Sequence, residues 1–371
     1  DWNDALDMAS EHGESVAFTC AYAGNLLELA SLIRLLDGHS TTHTADLLEE
    51  ITLLLQNNTE IFDNINQKHK ILSDYSARCR HNISGRRISL SLSVLAVDLI
   101  QKANWLMEHL RAQEWIDIDS ERGWFNSYYD NHGNAVEGLY KDQIRMMLTG
   151  QVFAVMSGVA EEEHIRKITL SADRYLYRKE IGGYRLNTDF HELKFDMGRM
   201  FGFAYGEKEN GAVFSHMTVM YANALYRRGF VHEGWKALKT LADTALDFDT
   251  SHIYPGIPEY FRSDGRGMYP YLTGAASWYM LTMITEVFGV RGEAGDLLLY
   301  PKLLSCQFDA DGAASITIPF AGKNLTVLYQ NSNNKDFGDY IIDSASCDGT
   351  ELEVNEDSFV ILPRNMLTAL S

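Results

Sequence analysis

Leu272-Thr273-Gly274-Ala275-Ala276-Ser277-Trp278 opens the last strongly helical stretch of the chain, residues 275–288, and Gly289 stops it. Past Gly295 the texture changes. Short runs of β type follow at 297–301, 314–320, 325–329, 340–342, 352–354 and 359–362, divided by turn pairs such as Asp311-Gly312, Ala321-Gly322 and Asp348-Gly349. The pattern predicts a mainly α chain with a boundary near residue 293: a helical domain over 1–293 and a β-sandwich over 294–371.

Working back from the boundary, apolar residues recur at helical spacing in one segment after another. Phe18, Tyr22, Leu26, Leu29, Ile33 and Leu36 mark a helix over 14–36 that Gly38 ends. Helices are also expected over 44–72, with a break at Asn57-Asn58, and over 88–113, 144–159, 164–176, 213–228 (closed by Gly229) and 232–246. Between them, the aromatic run in 123–134 followed by Asp130-Asn131-His132-Gly133 predicts a short strand and a turn. Helical hairpins in series suggest a toroid of helices rather than a simple bundle.

Composition narrows the function. A chain of 371 residues with 46% hydrophobic and 22% charged content builds a large core. A net charge of −19 argues against nucleic acid as partner, because phosphate backbones need a basic field. It suits a neutral substrate such as sugar and requires a local basic pocket for any anion. Cys20, Cys79, Cys306 and Cys347 are scattered without a CxxC pair, which argues for neither disulfide framework nor zinc site and for a reducing, cytoplasmic compartment. The close pair His39 and His43 has no carboxylate between, so no metal is expected. No uninterrupted apolar run reaches about 18 residues, so no membrane span is expected.

Three polar clusters stand out. Thr273-Gly274 begins a helix with small residues, where unpaired N–H groups and the helix dipole could hold an oxyanion; Thr273 could equally serve only as the cap. His216 stands near another helix start, after Lys208-Glu209-Asn210-Gly211, and is either a structural histidine or part of a second anion site. The chain opens on Asp1-Trp2-Asn3-Asp4, which packs two carboxylates, an amide and an indole into a polar loop before a helix. Together the clusters could do glycosyl transfer. Inversion by water needs an acid and a base, whereas phosphate is already anionic and needs only the acid. Asp4 as acid, with His216, Thr273 and Gly274 as the phosphate cradle, fits, and a nearby phosphate would raise the Asp4 pKa.

Trp2-Asn3-Asp4, the run from Lys208 to His216, and 272–278, in this order, resemble the cellobiose phosphorylase type of inverting β-glucoside phosphorylases over most of the chain. The resemblance implies an (α/α)6 barrel followed by a jelly-roll-like β-domain. It implies reversible phosphorolysis of a β-linked gluco-disaccharide or oligoglucan to α-glucose 1-phosphate, by a glycosyltransferase that uses inorganic phosphate as co-substrate and no other cofactor. It also implies a homodimer. Carried over by motif, Asp4 is the general acid, Trp2, Lys208 and Glu259 contact sugar, and His216, Thr273 and Gly274 bind phosphate. Asp7-Met8-Ala9 and Pro258-Glu259-Tyr260 lean toward oligoglucan phosphorylases, those acting on β-1,3-glucans among them. Family members carry an N-terminal β-sandwich and the first barrel half before the acid motif, so this chain is expected to be a fragment without activity of its own. Two rivals stand beside this reading. One is an inverting hydrolase on the same barrel, with Glu209 or Glu259 activating water; the other is a non-catalytic sugar-binding fragment.

Overall fold

One helix, Ser215–Arg227, is apolar on nearly every side and buried on nearly every side: Ser215 and all of residues 217–226 lie in the core. A helix of that composition belongs at the centre of a helical assembly, not on its surface. In the computed structural model, which describes residues 6–55, 59–254, 256–271 and 273–369, its neighbours are other helices. In chain order these are α1 (Val16–His39), α2 (Ile65–Cys79), α3 (Leu92–Gln113), α4 (Leu148–Ser157), α5 (Glu162–Tyr175), the central α6 (Ser215–Arg227), α7 (Val231–Leu246), the single turn α8 (Phe248–Ser251) and α9 (Gly274–Thr282). α1 lies along α3 and α4, α4 packs on α6, and α6 packs on α7 and α9. α7 shows why such packing forms: Gly234, Ala237, Leu238, Leu241 and Ala245 recur at helical spacing and are its buried stripe. Between α6 and α9 the buried Asn223 amide donates to Thr282 Oγ1 at 3.1 Å, a bond worth roughly 1 kcal/mol that also sets the register of the two helices.

Several sequence expectations need correction. The segment 44–72 is not one helix. Thr44–Leu48 is a strand paired antiparallel with Arg87–Ser91, in register Ala45↔Leu90 and Leu47↔Ile88, followed by two 3-10 turns and α2. Ala45, Leu47, Ile88 and Leu90 alternate inward, a period of two that leucine-rich sequence masks. Residues 88–91 are therefore strand, and α3 begins at Leu92. Asn57 and Asn58 lie outside the described residues. α1 runs through Gly38 to His39, and the extended backbone of Ser40 ends it. By length and composition α1 would pass for a membrane-crossing helix, the opposite of the expectation of no such segment; in the fold one side of it is buried through Ala17, Cys20, Ala23 and Ala30. The turn after the aromatic run forms as expected, with Gly133 in the left-handed region and its N–H on the Asp130 carbonyl.

After α9 the chain makes a π turn, Met283–Val287, and the strands begin. Val290–Glu293, Asp296–Leu299 and Val360–Leu362 form one antiparallel sheet; Ala313–Phe320 pairs with Lys323–Gln330 in a long hairpin. Val290 and Leu297 from the sheet meet Ile318 and Val327 from the hairpin in a shared apolar core, which Leu367 of the short α10 (Arg364–Ala369) joins. The first strand lies on the helical side of the boundary expected near 293, so the switch comes at Gly289. Residues 340–342 are not a strand: Ile341 is exposed, and the Tyr340 hydroxyl instead donates to the Pro301 carbonyl at 3.1 Å. The two parts are bolted together by Lys302, whose buried ammonium donates to the Tyr226 carbonyl at 2.7 Å and to Glu286 at 3.0 Å.

Gly289 is fixed twice over. Its φ is +64°, and a Cβ there would lie 1.8 Å from the Tyr300 carbonyl oxygen. Gly322, with φ +79° at a hairpin tip, has nothing within 4 Å of that position. Gly289→Ala should cost about 2 kcal/mol or more, Gly322→Ala about 1 kcal/mol from backbone strain alone. Unfolding midpoints measure both, and equal shifts would show that the Tyr300 contact is relieved at no cost.

Candidate active site

The site grows from the two helix starts at the same end of the α6–α9 pair. Thr273 has extended backbone and caps α9, its hydroxyl accepting from the Ala275 N–H at 3.3 Å. Gly274 is the first residue of α9, and a Cβ built on it would stand 2.7 Å from Cε1 and 2.8 Å from Nδ1 of His216. The imidazole thus lies directly on the Gly274 backbone. His216 is the second residue of α6, so two sets of helix-terminal N–H groups open beside one ring. Trp278, one turn into α9, flanks the ring at 5.8 Å between centroids. Burial lowers the His216 pKa below the ordinary histidine value, which keeps the ring neutral near neutral pH, with one N–H to donate. Ser215 is fully buried, and its Oγ meets no hydrogen-bonding group among the described residues.

The β-ribbon behind the histidine holds this arrangement in place. Val213–Phe214, Tyr260–Phe261 and Gly267–Met268 form a three-stranded sheet, and the Ser215 N–H donates to the Glu259 carbonyl at 2.9 Å. Phe214 stacks on Tyr260, centroids 4.5 Å apart at 16°, and stands 6.0 Å from the His216 ring. The Tyr260 hydroxyl donates to Glu209 Oε1 at 3.3 Å. Glu259 is half-buried, and its Oε2 accepts from the Tyr271 hydroxyl at 3.3 Å.

Lys208 sits at the tip of the loop 203–211. That loop is stitched by Gly206 N–H to Asn210 O at 2.7 Å, Asn210 Nδ2 to Phe203 O at 2.9 Å and Asn187 Nδ2 to Asn210 Oδ1 at 3.1 Å. Gly211, at φ +79°, lets the Tyr205 ring lie where a Cβ would be, 2.2 Å away. Lys208 itself has φ +46°, an uncommon conformation for a residue with a side chain. Its ammonium stands 5.2 Å from the Phe203 ring centroid and 5.5 Å from that of Tyr269, and the Tyr269 hydroxyl raises its pKa.

Lys208, His216, Glu259, Thr273 and Gly274 thus fall in one neighbourhood, joined by Tyr269, Tyr260 and Phe214. Asp4 and Trp2 lie outside the described residues. Leu6, the first described residue, packs on Phe190, Met197, Met200 and Phe201, the segment that runs into the Lys208 loop. The aromatic members Tyr260, Tyr269 and Tyr271 were missed at the level of sequence; the only signal was their crowding around Pro258 and Thr273. Among the described residues no group of three or more His, Cys, Asp or Glu converges as a metal site.

The arrangement can hold an anion against N–H donors, with a neutral imidazole beside it, a cation in reach of the same aromatic wall, and carboxylates spaced along that wall. Residues 96–289 fit the family model of the glycosyl hydrolase 94 superfamily, catalytic domain. The chain is 27% identical over 218 residues to the cellobionic acid phosphorylase of Neurospora crassa, covering 55% of this chain and 27% of that protein. It is 23% identical over 270 residues to the solabiose phosphorylase of Paenibacillus borealis, covering 70% and 33%. It is 25% identical over 248 residues to the N,N'-diacetylchitobiose phosphorylase of Vibrio furnissii, covering 64% and 30%. The chain spans a third or less of the length of these relatives. The family model covers more than half of the chain, including α4 to α9, and the chain belongs to the glycosyl hydrolase 94 superfamily as a cellobiose phosphorylase-type member.

Proposed function

We propose that the full-length protein phosphorolyses a β-linked gluco-disaccharide or oligoglucan with inversion, releasing α-glucose 1-phosphate and the shortened acceptor. The observation that carries this reading is the His216 ring lying on Gly274, so that the starts of α6 and α9 open on one spot. Inorganic phosphate held there meets helix-terminal N–H groups and a neutral histidine donor. The three relatives named above are each called a phosphorylase, which supports phosphate as the co-substrate.

In the reaction a phosphate oxygen forms a bond to the anomeric carbon from the face opposite the leaving oxygen. The glycosidic C–O bond breaks, and the leaving oxygen takes the proton of the Asp4 carboxyl. No second carboxylate is required. Lys208, cationic beside Tyr269, and Glu259, beside Tyr271, reach sugar hydroxyls. In this reading the helices belong to an (α/α)6 barrel and the strands to a jelly-roll-like sandwich, and the protein works as a homodimer without metal.

The test is synthesis in reverse. The full-length protein is given α-glucose 1-phosphate with glucose, cellobiose, laminaribiose or sophorose, and phosphate release is followed. Release with one acceptor and not the others supports the reading and names the linkage. No release with any acceptor, together with phosphate-independent cleavage of a β-glucan, would replace it with the hydrolase in which Glu209 or Glu259 activates water.

A further inference from the structure

From His216 outward, aromatic rings follow one another without a gap. Phe214 is 6.0 Å from His216, Tyr260 4.5 Å from Phe214, Tyr269 6.2 Å from Tyr260, and Tyr271 6.1 Å from Tyr269. The first members are buried and serve the core. The last is not: Tyr271 is 59% exposed. An isolated exposed aromatic needs no explanation, but this one has three further features. Its hydroxyl is tied to the Glu259 carboxylate at 3.3 Å, so the exposed ring is held in one orientation. Its neighbour Tyr269 adopts φ +60°, and Lys208, whose ammonium faces Tyr269, adopts φ +46°. Two non-glycine residues in the left-handed region, side by side, are strain kept where the surroundings hold a particular surface in place. A cation and a carboxylate flank that surface within reach of one another's aromatic partners.

A pyranose ring has an apolar C–H face and an edge of hydroxyls. A fixed aromatic face with an acceptor and a donor at its margins complements both, and fixing the ring beforehand removes part of the ordering cost of binding. The chain's net charge of −19 disfavours an anionic polymer on this surface and leaves a neutral one.

We propose that Tyr271 and Tyr269, with Glu259 and Lys208 at their edges, form a stacking platform for the remote sugar units of an oligosaccharide longer than a disaccharide. The inference rests on the phosphorylase reading for the direction of the chain, with the reacting bond at the His216 end and the remote units on Tyr271.

The experiment uses the full-length protein and acceptors of one, two and three sugar units of the linkage that supports phosphate release. Wild-type kcat/KM should rise with acceptor length. Tyr271→Ala should lose about tenfold on the trisaccharide, through KM, and under about twofold on the monosaccharide, while Tyr271→Phe, which keeps the ring and loses the tether, falls between. Equal losses at every length, or none, overturn the platform and leave the phosphorylase standing. If the wild type releases no phosphate with any acceptor, the phosphorylase reading falls and calorimetric binding of the same oligosaccharides decides the platform alone. Weaker binding of the trisaccharide to Tyr271→Ala by about tenfold supports it, and unchanged binding overturns it.

Discussion

Gly274→Ala in the full-length protein should lower phosphate-dependent kcat/KM by about 100-fold while leaving the fold intact. The added methyl would stand 2.7 Å from Cε1, 2.8 Å from Nδ1 and 3.3 Å from Nε2 of His216, so the imidazole must move away from the α9 start. A shift of that kind separates the two halves of the anion site, and misplacement on the order of 1 Å is enough for a loss of this size. The protein should still fold, because alanine favours helix over glycine and Gly274 is exposed on its other side. The loss should appear as a weakened response to phosphate, with oligosaccharide binding measured by calorimetry unchanged. His216→Ala should be similarly impaired, and the double variant should lose little beyond either single change, because both substitutions break one shared arrangement. Turnover within about threefold of wild type for Gly274→Ala would mean that the ring relaxes without functional consequence and that phosphate does not sit between them.

The parts of this chain that sequence reading reached are those whose order is local. α5 and α7 repeat their apolar residues every three or four positions, α6 is a nearly continuous apolar run, and each closes near a glycine or a change of texture, so a short window of sequence suffices. The strand Thr44–Leu48 failed that test because its partner lies at Arg87–Ser91, and nothing within either stretch announces the other. Tyr340-Ile341-Ile342 failed for the opposite reason. Its β-forming residues are not used in a ladder: the Ile342 N–H goes to the Ser358 hydroxyl at 2.6 Å, and the Tyr340 hydroxyl goes to the Pro301 carbonyl. At the site, His216 and Gly274 were legible singly, as a histidine and a small residue each near a helix start. Their contact was not, since it depends on the register of α6 against α9 that the Asn223–Thr282 bond sets. Tyr260 was legible only as part of the run Pro258-Glu259-Tyr260, not as a member of the site. Its partnership with Phe214 arises from cross-strand pairing, and its bond to Glu209 from a loop whose path depends on Gly206 and Gly211 in the left-handed region.

Between pH 5 and 8 one residue, Glu137, should contribute a loss of stability on the order of 1 kcal/mol per unit. Its carboxyl is buried and accepts the Ser127 and Met147 N–H groups, tying the strand Tyr128–Tyr129 region to the start of α4, where the Ser127 hydroxyl also accepts the Gly150 N–H at 3.1 Å. Two N–H donors and a helix N-terminus favour the charged form. Complete loss of solvent opposes it and prevails, pushing the Glu137 pKa up from 4.5 to about 8. The direction of the linkage follows. Between those two values the folded state keeps a proton that the unfolded chain has released, so stability is greatest below 4.5 and falls as pH rises through about 8. Asp130, held down to about 2, stays charged throughout this window and adds no slope. Glu114, also raised by burial, adds slope of the same sign, and His164 and His216, both lowered by burial, add slope of the opposite sign, so the test must compare variants. Glu137→Gln removes the titration but leaves one of the two N–H groups poorly served. It should therefore be less stable than wild type at pH 5, with a gap that narrows toward pH 8 as the wild type loses its advantage. Urea midpoints at four or so pH values measure the gap. A gap that stays constant would mean that the carboxylate is charged across the window, and that the two N–H donors and the α4 dipole outweigh burial.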